Sequence, residues 1–337
     1  MSTEEVVSSG RLYGVLLTYR RQAMLADTLR RIVRQSRSLD KLLVVDCEAS
    51  VATEKVVQEV AREAHFPIVY RATAENRGSA GGWAFGMRCV LEEANDSDWI
   101  MPLDDDDPPV FDHEFEEMER FAAEARSRDQ SIGGVGVVGA RFNWWTGLIN
   151  RVPDEDLAGA VEVDFVGNGH VPLYSVAAVR SVGVFDEALF FGYTEVEYGL
   201  RLKHAGYQIL AHGALWFERR NQMGRRQRRM TRSRTCRVSW SRYYVTRNYL
   251  YIMLRFRRLD LACKQVLLQC GIKPFLTLFV RPLDAYRGFK VAVQATWDAA
   301  RGQMGCNTRL KNWQAQESLR RGANHEETAD TLFTKPA

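Results

Sequence analysis

Apolar residues fall in short blocks along the first hundred positions, and two kinds of spacing alternate. Residues 11–18 (RLYGVLLT) form a continuous apolar run that gives way to the polar string TYRR, which predicts a buried strand ending in a loop. Met24, Leu25, Leu29, Ile32 and Val33 then recur at helical spacing over 23–36. Residues 41–46 (KLLVVD) predict a second buried strand ending on Asp46. A second helix is expected over 53–64 and a third strand over 67–70. The glycine-rich stretch NRGSAGG at 76–82 reads as a turn that leads into an amphipathic helix reaching Glu93. Residues 99–103 are a fourth apolar strand, which runs directly into Asp104, Asp105, Asp106 and Asp107.

Strands alternating with helices over short connections predict an α/β fold, a mostly parallel sheet covered on both faces. Ligands of such sheets bind beyond the carboxyl ends of the strands. Thr18, Asp46, Arg77 and Asp104 all fall at or just after expected strand ends, so a single crevice is expected to collect them. Past residue 133 the pattern changes. Short β-like runs at 135–138, 161–166 and 171–175 are interleaved with glycine and aromatics, and helical spacing returns over 194–205. From residue 231 the chain reads as mostly helical. The expected division is a sheet-containing domain over 1–230, a basic helical domain over 231–306 and a polar tail over 307–337.

Composition narrows the classes. In 337 residues, 46% hydrophobic and 26% charged content excludes wholesale disorder. No apolar run reaches the ~18 residues of a lone bilayer span. The N-terminal MSTEEVVSSG is acidic and polar, unlike a signal peptide, so a cytosolic location is expected. Six scattered cysteines (Cys47, Cys89, Cys236, Cys263, Cys270, Cys306) without a CxxC pair are expected to be reduced thiols. The net charge of +4 conceals segregation, because positions 219–258 hold fourteen arginines and no acidic residue.

Four adjacent carboxylates at a strand end repel one another, more so when partly buried. A divalent cation with oxygen ligands, Mg²⁺ or Mn²⁺, is the expected counter-charge, and it suits the departure of a nucleoside diphosphate. The plain alternative is a solvated acidic loop capping the next helix. NRGSAGG fits neither GxxxxGK[ST] nor a GxGxxG after the first strand. It is either a tight turn with close helix packing, or a place where Arg77 and a helix N-terminus approach a diphosphate.

The ordered set TYRR (18–21), VVD (44–46), ENRGSAGG (75–82), LDDDD (103–107) and FFGYTEVEYGLRLKHAGY (190–207) resembles the family 2 glycosyltransferases of GT-A fold. The resemblance covers roughly residues 11–220 and continues faintly into YYVTRN at 243–248. NRGSAGG and EVEYGLR look most like bacterial galactofuranosyltransferases, with rhamnosyltransferases next. It implies an inverting transfer from a nucleotide sugar, with UDP-galactofuranose the leading donor and a dTDP-sugar the alternative. Asp104 and Asp106 match the metal and diphosphate motif. Thr18, Arg20, Asp46, Arg77 and Asp105 are the residues expected to line the donor nucleotide. Glu195 falls at the position of the catalytic base, usually Asp, and the neighbouring Glu197 is expected to hold helix or acceptor contacts. Related galactofuranosyltransferases place a metal-binding His after a strand and a Trp; here Phe217 follows Trp216, and His212 is the candidate third ligand. Without the family pattern, Glu195 reads as an exposed helix carboxylate paired with Arg201 or Lys203, and His212 as a structural residue.

Trp144 and Trp145 are either an acceptor-side stacking pair or core, and the loop 167–170 (GNGH) is placed to touch the sugar. Basic residues beside the aromatic string WSRYYVTRNYLYIMLRFRR suit an anionic membrane surface. The competing readings are nucleic-acid binding, for which no recognition motif is present, and a helical cap pairing its arginines with acidic residues. The leading expectation is a peripheral enzyme on the inner face of the membrane that acts on a cell-envelope or polyprenyl-linked glycan. A nucleotidyltransferase would need a glycine- and lysine-rich loop near the N-terminus, which is absent. A non-catalytic nucleotide-sugar, membrane or nucleic-acid binding protein is the alternative of another class.

Overall fold

The computed structural model describes residues 10–167, 170–223 and 240–310. The N-terminal nine residues, Asn168 and Gly169 of the expected sugar loop, the arginine string over 225–234 and the tail from 311 lie outside the described residues. The chain divides into two compact units, Met1–Thr231 and Arg232–Ala337.

The first unit begins as its apolar spacing predicts: β1 (Leu12–Thr18), α1 (Gln22–Val33), β2 (Lys41–Asp46), α2 (Val51–Ala61), β3 (Ile68–Ala72), α3 (Gly78–Leu91) and β4 (Trp99–Asp104). It continues through α4 (Glu114–Arg128), β5 (Ile132–Gly136), β6 (Gly139–Asn143), β7 (Leu148–Asn150), β8 (Ala160–Glu162), β9 (Phe165–Val166) and β10 (Leu173–Ser175). It closes with α5 (Val176–Val182), α6 (Thr194–His204), β11 (Gln208–His212) and α7 (Gly213–Gln222). Eight strands form the main sheet in the order β3-β2-β1-β4-β10-β5-β11-β8, and β7-β6-β9 form a small second sheet. β1 pairs in parallel with β2 and β4, and β2 with β3. β10 is antiparallel to both of its neighbours, and β8 is antiparallel to β11.

The apolar run at 161–166 is one block in the sequence and two strands in the structure. Val163 N–H donates to Ile209 of the main sheet, whereas Asp164 N–H donates to Ala140 of the small one. The chain changes sheets between those two residues, so its hydrogen bonds cannot all belong to one strand.

Continuous apolar runs in β1 and β2 supply both faces of the sheet. Tyr13, Val15, Leu17, Leu43 and Val45 pack under Trp83, Met87 and Val90 of α3. Leu12, Leu16, Leu42 and Val44 pack against α1, α2 and α4 through Leu25, Leu29, Ile32, Val57, Phe115 and Met118. The glycines of α3 let it lie flush on β1: a Cβ at Gly82 would stand 2.2 Å from Leu17, and one at Gly86 would stand 2.3 Å from Val15. Tight helix packing thus accounts for the glycines at 82 and 86. The described cysteines are all free thiols.

The second unit contains α8 (Ser241–Arg255), α9 (Leu259–Val266), a π-helical turn at Leu267–Ile272, α10 (Lys273–Leu278) and α11 (Pro282–Ala300). The YYVTRN string lies on α8, where Tyr243, Tyr244, Arg247 and Asn248 are all buried. Arg247 donates to Gly305 O (2.7 Å) and Asn248 Oδ1 (3.1 Å) and lies over the Tyr243 and Tyr244 rings. The Tyr243 hydroxyl donates to Asp298 of α11 at 2.5 Å.

Candidate active site

Strand register brings the expected crevice residues to one level. Thr18 stands opposite Asp46 across β1 and β2, and Leu17 stands opposite Asp104 across β1 and β4. The three strands therefore end together, as a parallel sheet requires of a ligand-binding edge.

The acidic run is shared among several partners. Thr18 Oγ1 donates to Asp105 Oδ2 at 2.7 Å, and Thr28 Oγ1 donates to the Asp105 carbonyl at 2.8 Å. Arg21 Nη1 reaches both Asp105 Oδ1 (3.0 Å) and Asp106 Oδ2 (2.5 Å). Ligand oxygens of Asp104, Asp105 and Asp106 lie within 4.8 Å of one another. One guanidinium facing three carboxylates leaves them under-neutralised. Burial, then Asp106 and Asp105, push the Asp104 carboxyl up to about 8, with Arg21 opposing. Burial also raises Asp105. A crowded, partly buried all-oxygen set with excess negative charge fits a hard divalent cation.

The other expected nucleotide residues take varied positions. Asp46 is buried, and its two oxygens accept from Glu48 N–H, Ser50 N–H and the Tyr70 hydroxyl, all at 2.8–2.9 Å. It thereby shapes the loop after β2. Arg20 has a left-handed backbone (φ +59°) that turns its side chain out to Glu48, at 2.6 Å. Arg21, not singled out in the sequence, is the arginine that reaches the aspartates. Arg77 precedes α3 and faces Glu187 at 3.7 Å, and Glu187 also pairs with Arg88 at 2.6 Å.

Glu195 occupies the first turn of α6. The turn before it is strained: Phe190 (φ +60°), Gly192 (φ +78°) and Tyr193 (φ +62°) are all left-handed. Phe190 O also accepts the Ala80 N–H of α3 (3.2 Å), which docks this turn on the glycine-rich segment. A Cβ at Gly78, itself at φ +67°, would stand 2.1 Å from that oxygen. Burial pushes the Glu195 carboxyl up; its own backbone N–H and the charge of His170 oppose the shift. The helix partner expected for Glu195 belongs to Glu197 instead. Glu197 is fully buried and held bidentately by Arg201 at 2.9 Å, and Arg201 also donates to the carbonyls of Val182 and Val184.

His212 is not among the residues gathered at the aspartates. Its Nδ1 accepts Leu215 N–H at 3.3 Å and caps α7, its ring rests on Phe121 at 4.8 Å, and its Nε2 is 4.0 Å from Glu117. Burial lowers its pKa, so the ring is neutral near pH 7.

His170 lies closer to the acidic run. Its Nδ1 is 2.5 Å from Asp107 Oδ2, and Asp107 Oδ1 accepts from Arg219 at 2.7 Å. Arg219 is buried and also meets the buried Glu114 at 3.4 Å. Arg220 pairs with Asp154 and donates to Val152 O. The first two arginines of the cationic stretch are therefore internal struts of the first unit. Nothing in local sequence links Asp107 to His170 or Arg219, since each is far along the chain. Trp144 packs edge-on against Phe142, whereas Trp145 at the β6–β7 tip is 90% exposed and so lies outside the core.

Residues 15–162 match the family described as Glycosyl transferase family 2. Galactofuranosyltransferase GlfT1 of Mycolicibacterium smegmatis is 38% identical over 96 residues, which is 28% of this chain and 30% of that protein. GlfT1 of Mycobacterium tuberculosis is 34% identical over 95 residues, again 28% and 30%. The match spans under a third of the length of these relatives. Among solved structures, S. aureus TarS 1–349 in complex with UDP-GlcNAc aligns with a TM-score of 0.50 at 12% identity, covering 86% of this chain and 81% of that one.

Proposed function

Residues 15–162 form a glycosyl transferase family 2 domain on a GT-A fold, and from that premise we propose that the protein is a metal-dependent, inverting galactofuranosyltransferase. It would take UDP-galactofuranose as donor and a cell-envelope or polyprenyl-linked glycan as acceptor. The observation that carries this reading is the under-neutralised set of Asp104, Asp105 and Asp106 at the shared strand end. The two galactofuranosyltransferases matched in sequence favour the donor sugar.

Asp104 and Asp106 would hold the cation, Mn²⁺ or Mg²⁺, with Asp105 fixed beside them by Thr18 and Arg21. When bound there, a divalent ion supplies positive charge to the diphosphate oxygens. Thr18, Asp46 and Arg77 border the donor nucleotide. Arg20 lies at its open side, where it can exchange its exposed Glu48 partner for phosphate. Glu195 accepts the proton of an acceptor hydroxyl as that oxygen attacks the anomeric carbon; the bond to the diphosphate breaks, and configuration inverts. Burial strengthens Glu195 as a base by raising its proton affinity towards neutral pH. His170 and Asp107 tie the acidic run to the neighbourhood of that base. Trp145 offers an open aromatic face to acceptor sugars. The helical unit is the part that would hold the enzyme against the inner, anionic face of a membrane.

A screen of nucleotide sugars for Mn²⁺-dependent transfer or hydrolysis, with Glu195→Gln as control, tests the reading. Turnover of UDP-galactofuranose that Glu195→Gln abolishes is expected. Turnover of another donor alone would overturn the sugar assignment, and no metal-dependent turnover of any donor would overturn the catalytic one.

A further inference from the structure

α11 has its apolar residues arranged inside out. The face packed inward consists of Ala285, Gly288, Ala292, Ala295 and Ala299, the small residues. The large ones, Leu283, Tyr286, Phe289, Val293 and Trp297, recur at three- and four-residue spacing on a different face and are 43–73% exposed. The segment before it continues the pattern: Phe275, Leu276, Phe279 and Val280 are 61–74% exposed. Burying large side chains and exposing alanine would be the stable choice in water. A contiguous apolar face of this kind needs a partner.

We infer that the outer stripe of α11, with the α10–α11 turn, lies in the plane of an anionic lipid surface with its large side chains among the acyl-chain boundary. This deepens the reading of the helical unit as membrane-facing and rests on it. The charge pattern selects a lipid occupant. Arg287, Lys290 and Arg301 border the stripe and have no carboxylate at ion-pair distance among the described residues. Lys290 lies over the Tyr286 ring at 5.0 Å, and Arg301 lies over Trp297 at 4.5 Å. Cations folded back over Tyr and Trp at the edge of an apolar face suit the headgroup level, where charged ends reach phosphate and rings stay half-immersed. Two copies of this face would bring those cations together, while the nearby carboxylates are engaged, Asp284 by Arg281 and Asp298 by Tyr243. No described helix is long and apolar enough to cross a membrane, which is consistent with an in-plane arrangement.

The test uses the full chain and vesicles of phosphatidylcholine with about 30% phosphatidylglycerol, which present an anionic surface. Phe289→Ser with Val293→Ser, both at exposed positions, is expected to weaken vesicle partitioning about ten-fold or more while leaving UDP binding and thermal melting unchanged. Trp297 emission, taken as the difference between the native chain and Trp297→Phe, is expected to be quenched by brominated phosphatidylcholine. Vesicle binding that survives the double substitution without Trp297 quenching would overturn the inference and leave the broader membrane reading intact, since the arginines would then suffice. Absence of any vesicle binding would overturn both. A concentration-dependent dimer that the double substitution abolishes, without Trp297 quenching, would make the face a self-association surface and overturn the inference.

Discussion

The two units bury charge in opposite ways. At the strand-end face of the first unit, three carboxylates crowd around one half-exposed guanidinium, and Asp104 is pushed up to about 8. In the second unit, the buried Arg247 has a carbonyl, an amide oxygen and two aromatic faces around it. A buried charge whose hydrogen-bonding groups meet acceptors is tolerated as part of the fold. Mismatched buried charge costs stability and persists where a ligand completes it. The same contrast recurs within α6, where Glu195 and Glu197 are two residues apart: one is raised by burial without a lysine or arginine partner among the described residues, the other is clamped by Arg201.

The largest expected effect separates those two glutamates. Glu195→Gln is expected to lower kcat by about 10²–10⁴-fold with the melting temperature unchanged or raised. Glu197→Gln leaves the half-buried Arg201 without its counter-charge and is expected to cost about 3 kcal/mol in urea unfolding. If both behaved alike, the distinction between mismatched and matched charge would fail. Next, Arg247→Met removes a buried cation along with its acceptors' partner, and a loss of about 1–3 kcal/mol is expected on unfolding of the full chain.

A pH series sharpens the contrast from the other side. Asp104 is raised in the folded protein above its ordinary 3.8, so the folded state holds a proton that the unfolded chain releases. Stability from this group is present at low pH and falls as pH rises between about 4 and 8. Melting in EDTA is expected to decline over that window, and Mn²⁺ is expected to flatten the decline by taking the proton's place. The smallest effect belongs to Arg20→Ala. Its pair with Glu48 is solvent-exposed, and a change below about 1 kcal/mol is expected, with any larger consequence confined to UDP affinity.

The parallel strands were legible because KLLVVD and RLYGVLLT are apolar on both faces, as strands covered by helices on each side must be. The acidic strand end was legible for the same reason: four aspartates after such a run have few structural explanations. Which arginine reaches them was not, because Arg20 and Arg21 are adjacent and only the left-handed turn at Arg20 decides their directions. His170 was placed in a loop near the sugar, but its link to Asp107 depends on a long-range meeting that no local spacing encodes. His212 was the candidate third ligand because Phe217 fills the slot after Trp216, and its Nδ1 serves the N-terminus of α7 instead. The inverted faces of α11 were hidden because both faces are apolar, so periodicity alone gives no preferred side.

The metal-binding role of the aspartates can be read from a titration of UDP into the protein with and without Mn²⁺, repeated for Asp106→Asn. Mn²⁺ is expected to tighten UDP binding by about ten-fold or more, on the order of 1.4 kcal/mol, and Asp106→Asn to remove most of that gain. Equal UDP affinity with and without metal in the native chain would contradict that role.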